Sequence, residues 1–160
     1  MSWSHDLLSE QERVVFRRLA VFPASFDLGA AEAVVGTDGL DDVIGSVVRL
    51  VDRSLVVYDP AAGRYRLLET LRQYAADRLA DAGETDDARG RHAQCYADLA
   101  AGTVGPHRTV SSVKRLSADF ENLRGAASWL AERARWSDLL ALARAVFQFA
   151  VSSAPADGRR

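Results

Sequence analysis

Apolar residues recur at helical spacing from Ser9 to about Val51, give way to two short strand-like runs, and return to helical spacing for the rest of the chain. Ser9 and Glu12 have the S-x-x-E spacing of a capping box, which predicts a helix from about Glu10 to about Ala20, stopped by Pro23. Asp27 can cap a second, alanine-rich helix over Leu28 to Val35, ended by Gly36. Asp41 or Asp42 caps a third, in which Val43, Ile44, Val47, Val48, Leu50 and Val51 spread over most of the circumference. Leu55 to Tyr58 and Arg64 to Leu67 are β-prone and joined by Asp59-Pro60-Ala61-Ala62-Gly63, whose proline and glycine suit a hairpin loop. Strand alternation puts Arg64 and Arg66 on one side of the second strand and Tyr65 and Leu67 on the other. From Glu69 to Gly83 the helical period returns, with Leu68, Leu71, Ala75 and Leu79 in one stripe. Three helices, a hairpin and a fourth helix are the outline of a winged helix, the hairpin being the wing.

The next helix, about Asp86 to Ala101, places Ala88, His92, Cys95, Tyr96 and Leu99 on one face, and Gly102 to Pro106 reads as a linker. Leu116, Phe120, Leu123, Ala127 and Leu130 then recur at three- and four-residue spacing. A last helix from near Ser137 to about Val151 carries Leu139, Leu140, Leu142, Ala143, Val146, Phe147, Phe149 and Ala150, which leave almost no polar face. A helix that is apolar all round needs cover on every side, so this pair reads as the opening of a stacked helical array. The expected fold is mainly α with a small β-hairpin. A winged helix over residues 1–83 is followed by antiparallel helical hairpins like tetratricopeptide repeats over 84–160.

Composition narrows the functional classes. In 160 residues, 20 basic side chains oppose 22 acidic ones, so no global field draws the chain to nucleic acid or to an anionic membrane. Cys95 is the only cysteine, which rules out an internal disulfide and makes a reducing, cytoplasmic setting the expectation. Asp6, Glu10 and Glu12 interrupt any secretory core near the start, and no apolar run approaches the roughly 20 residues of a membrane span. Nothing matches the G-x-x-x-x-G-K-S/T phosphate loop, and the lone lysine, Lys114, has no glycine-rich approach. Ser4-His5-Asp6 has the residue types of a hydrolase triad, but adjacent residues cannot point at one another in a relay. His5, His92 and His107 lack metal-ligand spacing, and His92 and Cys95 read as packed residues of one apolar face. Glu69, Asp77, Asp81 and Glu84 describe a solvated helix side. The expectation is a protein that is not an enzyme and holds no cofactor or metal.

A DNA-reading third helix would offer cations and amides to phosphates and base edges. Asp41 to Arg53 instead carries three aspartates, two arginines and six large aliphatic residues. Arg49 and Arg53, with Arg64 and Arg66 on the wing, form the one basic patch that would serve DNA, against a preferred reading in which these arginines pair with neighbouring carboxylates.

Several stretches resemble a known family. They are Trp3-Ser4-His5-Asp6-Leu7-Leu8, Phe16-Arg17-Arg18-Leu19-Ala20-Val21-Phe22, Leu50-Val51-Asp52-Arg53-Ser54-Leu55-Val56-Val57 and Arg64-Tyr65-Arg66-Leu67-Leu68-Glu69-Thr70-Leu71-Arg72-Gln73-Tyr74-Ala75. Arg91-His92-Ala93, Glu121-Asn122-Leu123-Arg124-Gly125-Ala126 and Trp129 continue the likeness over nearly the whole chain. Together they resemble the winged-helix and helical-repeat segment of bacterial STAND-type signalling ATPases, among them the large LuxR-type and AfsR-type transcriptional regulators of actinobacteria. The resemblance implies a non-catalytic segment whose winged helix packs on an NTPase core, while its repeats take up a signal or a partner protein. Two departures stand out. Leu67-Leu68-Glu69 occupies the place where many relatives carry a diphosphate-sensing histidine, and the ATPase core is absent from this sequence.

The leading expectation is therefore a regulatory, protein-contacting module of such a transcriptional regulator. Val43, Ile44, Val47, Val48 and Val51 serve core and interdomain packing, and Phe147 and Phe149 meet a further repeat. Homodimerisation through the last helix is a further expectation, and membrane contact is not expected. The runner-up is a stand-alone winged-helix DNA-binding regulator acting through Arg49, Arg53, Arg64 and Arg66.

Overall fold

The capping box at Ser9 forms as its spacing requires. The Ser9 amide donates to Glu12 Oε2 at 2.8 Å and the Glu12 amide to Ser9 Oγ at 3.2 Å, which starts helix α1 over Glu10–Arg18. The computed structural model describes residues 7–36, 40–102 and 117–153, the last six by backbone alone. The Trp3 to Asp6 stretch, His107, Lys114, Leu116, most of the Gly102 to Pro106 linker and the Phe149 side chain lie outside the described residues.

Helix α1 tightens into a 3-10 turn, Leu19–Val21, before Pro23. Asp27 caps α2, Leu28–Val35, accepting from the Ala30 amide at 2.8 Å. Asp42 caps α3, Val43–Asp52, accepting from the Gly45 amide at 2.8 Å. A Cβ at position 45 would push that capping carboxylate away, so glycine belongs there.

The wing is an antiparallel pair, β1 Val57–Asp59 and β2 Arg64–Arg66, in the register Val57↔Arg66, Tyr58↔Tyr65 and Asp59↔Arg64. The Asp59 carboxylate accepts from the amides of Ala61 and Ala62 at 3.0 and 3.3 Å, and Gly63 supplies the left-handed φ of 64° that closes the loop. The strands are shorter than their β-prone runs because the amides of Leu55 and Val56 turn back to the Leu50 carbonyl at the end of α3, at 2.9 and 3.2 Å. Tyr65 also exchanges two backbone hydrogen bonds with Phe26, at 2.8 and 2.9 Å, which adds a one-residue third strand to the wing.

Four helices follow: α4 Glu69–Asp81, α5 Thr85–Gly102, α6 Phe120–Glu132 and α7 Trp136–Ser153. Three helices end alike. Ser54, Gly83 and Ala134 adopt φ of 60°, 70° and 54°, and the next amide reaches back across the last turn, Leu55 to Leu50, Glu84 to Leu79 and Arg135 to Leu130, at 2.9, 3.2 and 2.9 Å.

The core runs without a break from Phe16, Phe22, Phe26 and Val47 of the first helices and loops to Tyr96, Leu123, Trp129 and Leu130 of the later ones. Two positions counted on apolar stripes lie outside it: Leu68 is 42% exposed as the residue preceding α4, and Phe120 is 57% exposed in the first turn of α6. Among the described residues, no helix is long and apolar enough to cross a membrane.

An acidic hinge ties this core at the start of α5. Glu84 accepts from Arg17 Nη2 and from Arg18 Nε, both at 2.8 Å, while Arg18 Nη1 donates to the Val35 carbonyl at 3.0 Å and Arg91 Nε to the Val34 carbonyl at 2.8 Å. The ends of α1, α2 and α4 thus meet at one carboxylate. Burial opposes its charge, but the hydrogen bonds and charges of Arg17 and Arg18 prevail and hold the Glu84 pKa down at about 2. A carboxyl depressed in the fold contributes stability above its unfolded pKa and loses it as pH falls toward the folded value. Between pH 5 and 2, denaturant unfolding should show a loss of about 2–3 kcal/mol from this group, and Glu84→Gln should be less stable at pH 7 while lacking that part of the acid dependence.

Candidate interaction site

Helix α3 stands where a winged helix presents its outer surface. Its buried side is Val43, Ser46, Val47 and Leu50, so two of the five residues expected to pack between domains, Val43 and Val47, lie in the internal core. Val51 is partly buried against the same core. Ile44 and Val48, one turn apart, are 38% and 44% exposed, and they share the solvent side with Asp41 and Asp52.

Arg49 of α3 and Arg53 at its C-cap pair with carboxylates while staying about two-fifths exposed. Arg49 donates from Nε to Glu12 Oε1 at 3.0 Å, from Nη1 to Asp42 Oδ2 at 3.2 Å and from Nη2 to Ser46 Oγ at 2.9 Å. Arg53 Nη2 lies 4.0 Å from Glu12 Oε2. Glu12, nearly fully buried, therefore serves the capping box of α1 and receives both α3 arginines. The Ser9 backbone hydrogen bond is the main cause of its lowered pKa; burial acts against it, and the Arg53 charge and the Ser9 and Arg49 side chains add to the lowering.

Arg64 departs furthest from expectation. Strand alternation places it beside Arg66 on an outer face, yet its side chain is only 10% exposed. Its Nε donates to Ser25 Oγ at 2.8 Å, its Nη2 donates to the Ser25 carbonyl at 2.6 Å, and the same Nη2 pairs with Asp119 Oδ1. Asp119 is 2% exposed and also accepts from Asn122 Nδ2 at 3.0 Å and from the Tyr96 hydroxyl at 3.3 Å. Burial is the main cause that pushes the Tyr96 phenol above its ordinary range, so it stays a donor to that carboxylate. The Arg66 side chain is exposed and makes no hydrogen bond or ion pair among the described residues. The four arginines therefore do not form one open patch.

At the far end of the chain, α7 exposes Trp136, Leu140 and Phe147 at 59%, 70% and 68%. An almost wholly apolar groove of about 440 Å³ runs between α6 and α7, lined by Phe120, Leu123, Ala127, Leu139, Val146 and Phe147 among others. Phe147, expected to meet a further repeat, is in the open.

With three helices, a two-stranded wing and a following helix in place, residues 8–80 match the winged helix-turn-helix family. The match covers just under half of the chain, over the same residues that build the three helices, the wing and α4. Beyond that match, the chain is 43% identical over 151 residues to "Putative HTH-type transcriptional regulator Rv0890c" of Mycobacterium tuberculosis, a match that covers 89% of this chain and 17% of that protein. A counterpart from Mycobacterium bovis matches equally, and "Uncharacterized protein Rv0894" of Mycobacterium tuberculosis is 42% identical over 97 residues, 58% of this chain and 25% of that one. The chain spans about one sixth of the length of the regulators it matches. No solved structure matches it significantly. These likenesses favour a regulatory role, and the relatives' names stand nearer to a winged-helix transcriptional regulator than to an ATPase accessory.

In this winged helix the wing arginine is a structural cation. Replacing Arg64 with Met would strand a buried aspartate, and urea unfolding should show a loss of about 3–5 kcal/mol. Arg53→Ala, at an exposed side chain 4.0 Å from a Glu12 carboxylate that keeps Ser9 and Arg49, should stay within about 1 kcal/mol of the parent.

Proposed function

We propose that the chain is a non-enzymatic regulatory segment of a transcriptional regulator, in which residues 1–83 form a protein-docking winged helix and residues 84–160 a helical segment like tetratricopeptide repeats. One observation carries this reading: α3 offers solvent Ile44 and Val48 between Asp41 and Asp52, while Arg49 and Arg53, about two-fifths exposed, are already paired with Glu12. Aspartates at the ends of that face repel phosphate, and exposed aliphatic side chains gain by burial against protein. The partner is an NTPase domain of the same cytoplasmic regulator, met through Ile44, Val48 and Val51, with a further helical repeat seated on Phe147 and Phe149. Support comes from the resemblance to STAND-type regulators and from relatives in which the matched region is only 17% of the whole.

A second reading is a DNA-binding winged helix. It is favoured by the relatives' naming as HTH-type regulators and by the exposed Arg66, with the outer faces of Arg49 and Arg53, each about two-fifths exposed, beside α3. Phosphate contacts release counterions, so such binding would weaken steeply with salt. Fluorescence-anisotropy titration against mixed duplex DNA should show no binding at low salt. Tight, salt-sensitive binding that Arg66→Ala weakens would put the second reading in place of the first.

A further inference from the structure

The side of α7 turned away from the core is a single apolar stripe. Leu142 and Ala145 are buried, whereas Trp136, Leu140 and Phe147 are 59%, 70% and 68% exposed, with the exposed Ala143 in line between them. The stripe advances by four, three and four residues, the alternation with which two helices pair along a common seam. It carries no charge: Asp138, on the opposite side of the helix, accepts from Arg135 Nε at 2.7 Å, and Arg144 lies to one flank. Along the other flank runs the groove of about 440 Å³, with Leu139 and Val146 on its α7 wall and Phe120, 57% exposed, on its α6 wall. Phe147 belongs to both the groove and the stripe.

The stripe is complementary to itself in one register. A two-fold axis midway between Ala141 and Leu142 sets Trp136 of one copy opposite Phe147 of the other and, with the same axis, Leu140 opposite Ala143. Each indole then lies over the end of the groove where Phe120 and Phe147 stand, and Arg144 comes beside the Ser137 hydroxyl of the second copy with no like charge facing it. A parallel pairing would set Leu140 on Leu140 and Ala143 on Ala143, crowding one layer and leaving a gap at the next. The area is sufficient. An aromatic side chain offers about 150–250 Å², so the exposed parts of Trp136, Leu140, Phe147 and Phe120 come to about 500 Å² per copy, or about 1,000 Å² for a pair. That reaches the small end of specific interfaces and suits a reversible dimer.

We propose that the chain forms a two-fold dimer through antiparallel α7 helices, with Trp136 of each copy seated against Phe147 and Phe120 of the other. The dimer rests on the reading that Phe147 is a contact face, and it names the helix seated there as α7 of a second copy. Within one copy Trp136 and Phe147 stand about three turns apart along α7 and cannot cover each other, so the groove receives its indole only from a second copy. A dimer also carries two α3 faces, and a partner offering two matching sites would gain by avidity.

Sedimentation equilibrium of the whole chain, up to about 300 μM, should fit a monomer–dimer equilibrium with a Kd between about 1 and 100 μM. Leu140→Glu, at a side chain 70% exposed, should keep the helical circular-dichroism signal and weaken the dimer about tenfold or more, because it sets a carboxylate against apolar surface of the second copy. The register has its own test. With Cys95 replaced by alanine, a mixture of Leu140→Cys and Ala143→Cys chains should form disulfide-linked dimers about tenfold faster than either chain alone, since only the mixture sets two thiols directly opposite. A chain that stays monomeric at the highest concentration overturns the proposal. So does a dimer that Leu140→Glu leaves intact, or cross-linking as fast in either chain alone as in the mixture. None of these measurements involves nucleic acid, so the anisotropy titration decides the reading of α3 separately.

Discussion

The wing holds its place because an arginine and an aspartate are shut away from water between it and α6. Desolvating both charges costs several kcal/mol, and the pair is tolerated only because its remaining hydrogen-bonding capacity is met. Arg64 has both oxygens of Ser25, and Asp119 has Asn122 and Tyr96. Asn122 also donates to the Ser25 carbonyl at 2.8 Å, so the loop before α2, the wing, α5 and α6 share one network. Beside it runs a row of rings: Tyr58 on Tyr65 with centroids 4.7 Å apart, Tyr65 on Phe26 at 6.3 Å, Phe26 on Phe22 at 4.5 Å, and Phe22 edge-on to His92 at 5.3 Å. Displacing the hairpin would expose this row and strand two charges together. The winged helix and the helices after it therefore act as one packing unit, although the sequence suggests a border near Gly83.

Local chemistry was legible in the sequence, and long-range charge pairing was not. Capping residues announce themselves within four positions, so Ser9, Asp27 and Asp42 start their helices where the spacing requires, and α2 has the bounds expected of it. The hairpin and its Gly63 turn were legible for the same reason. Arg64 meets a carboxylate 55 positions away, across a stretch with no pattern to link them, so strand alternation alone gave it to solvent. Glu12 was read as a capping residue, and its second service to Arg49 and Arg53 depends on how α1 crosses α3, which no local spacing encodes. Arg49, Arg53 and Arg64 meet carboxylates and Arg66 meets none among the described residues, and the partners came only with the fold.

For function, the fate of the cations matters more than their number. A chain with nearly balanced charge acts on nucleic acid by gathering cations on one face, and packing here separates Arg49, Arg53, Arg64 and Arg66: two pair with α1, one lies in the interior and one is left on the wing. What α3 keeps for solvent is Ile44 and Val48, edged with aspartate, beside the outer sides of Arg49 and Arg53. The same geometry leaves α7 with large apolar side chains uncovered, so the segment carries two outward surfaces at opposite ends of the chain.

The three left-handed helix ends have a further consequence. Glycine takes that conformation at Gly83 without penalty, but Ser54 and Ala134 hold it against the steric preference of their Cβ atoms, at a cost on the order of 1 kcal/mol each. The fold meets these costs in the backbone and still closes its helices, so it operates below the stability that its own topology allows. That unused margin is a reserve on which the lineage can draw: changes at the outward surfaces that weaken the domain can be compensated at the Ser54 and Ala134 turns.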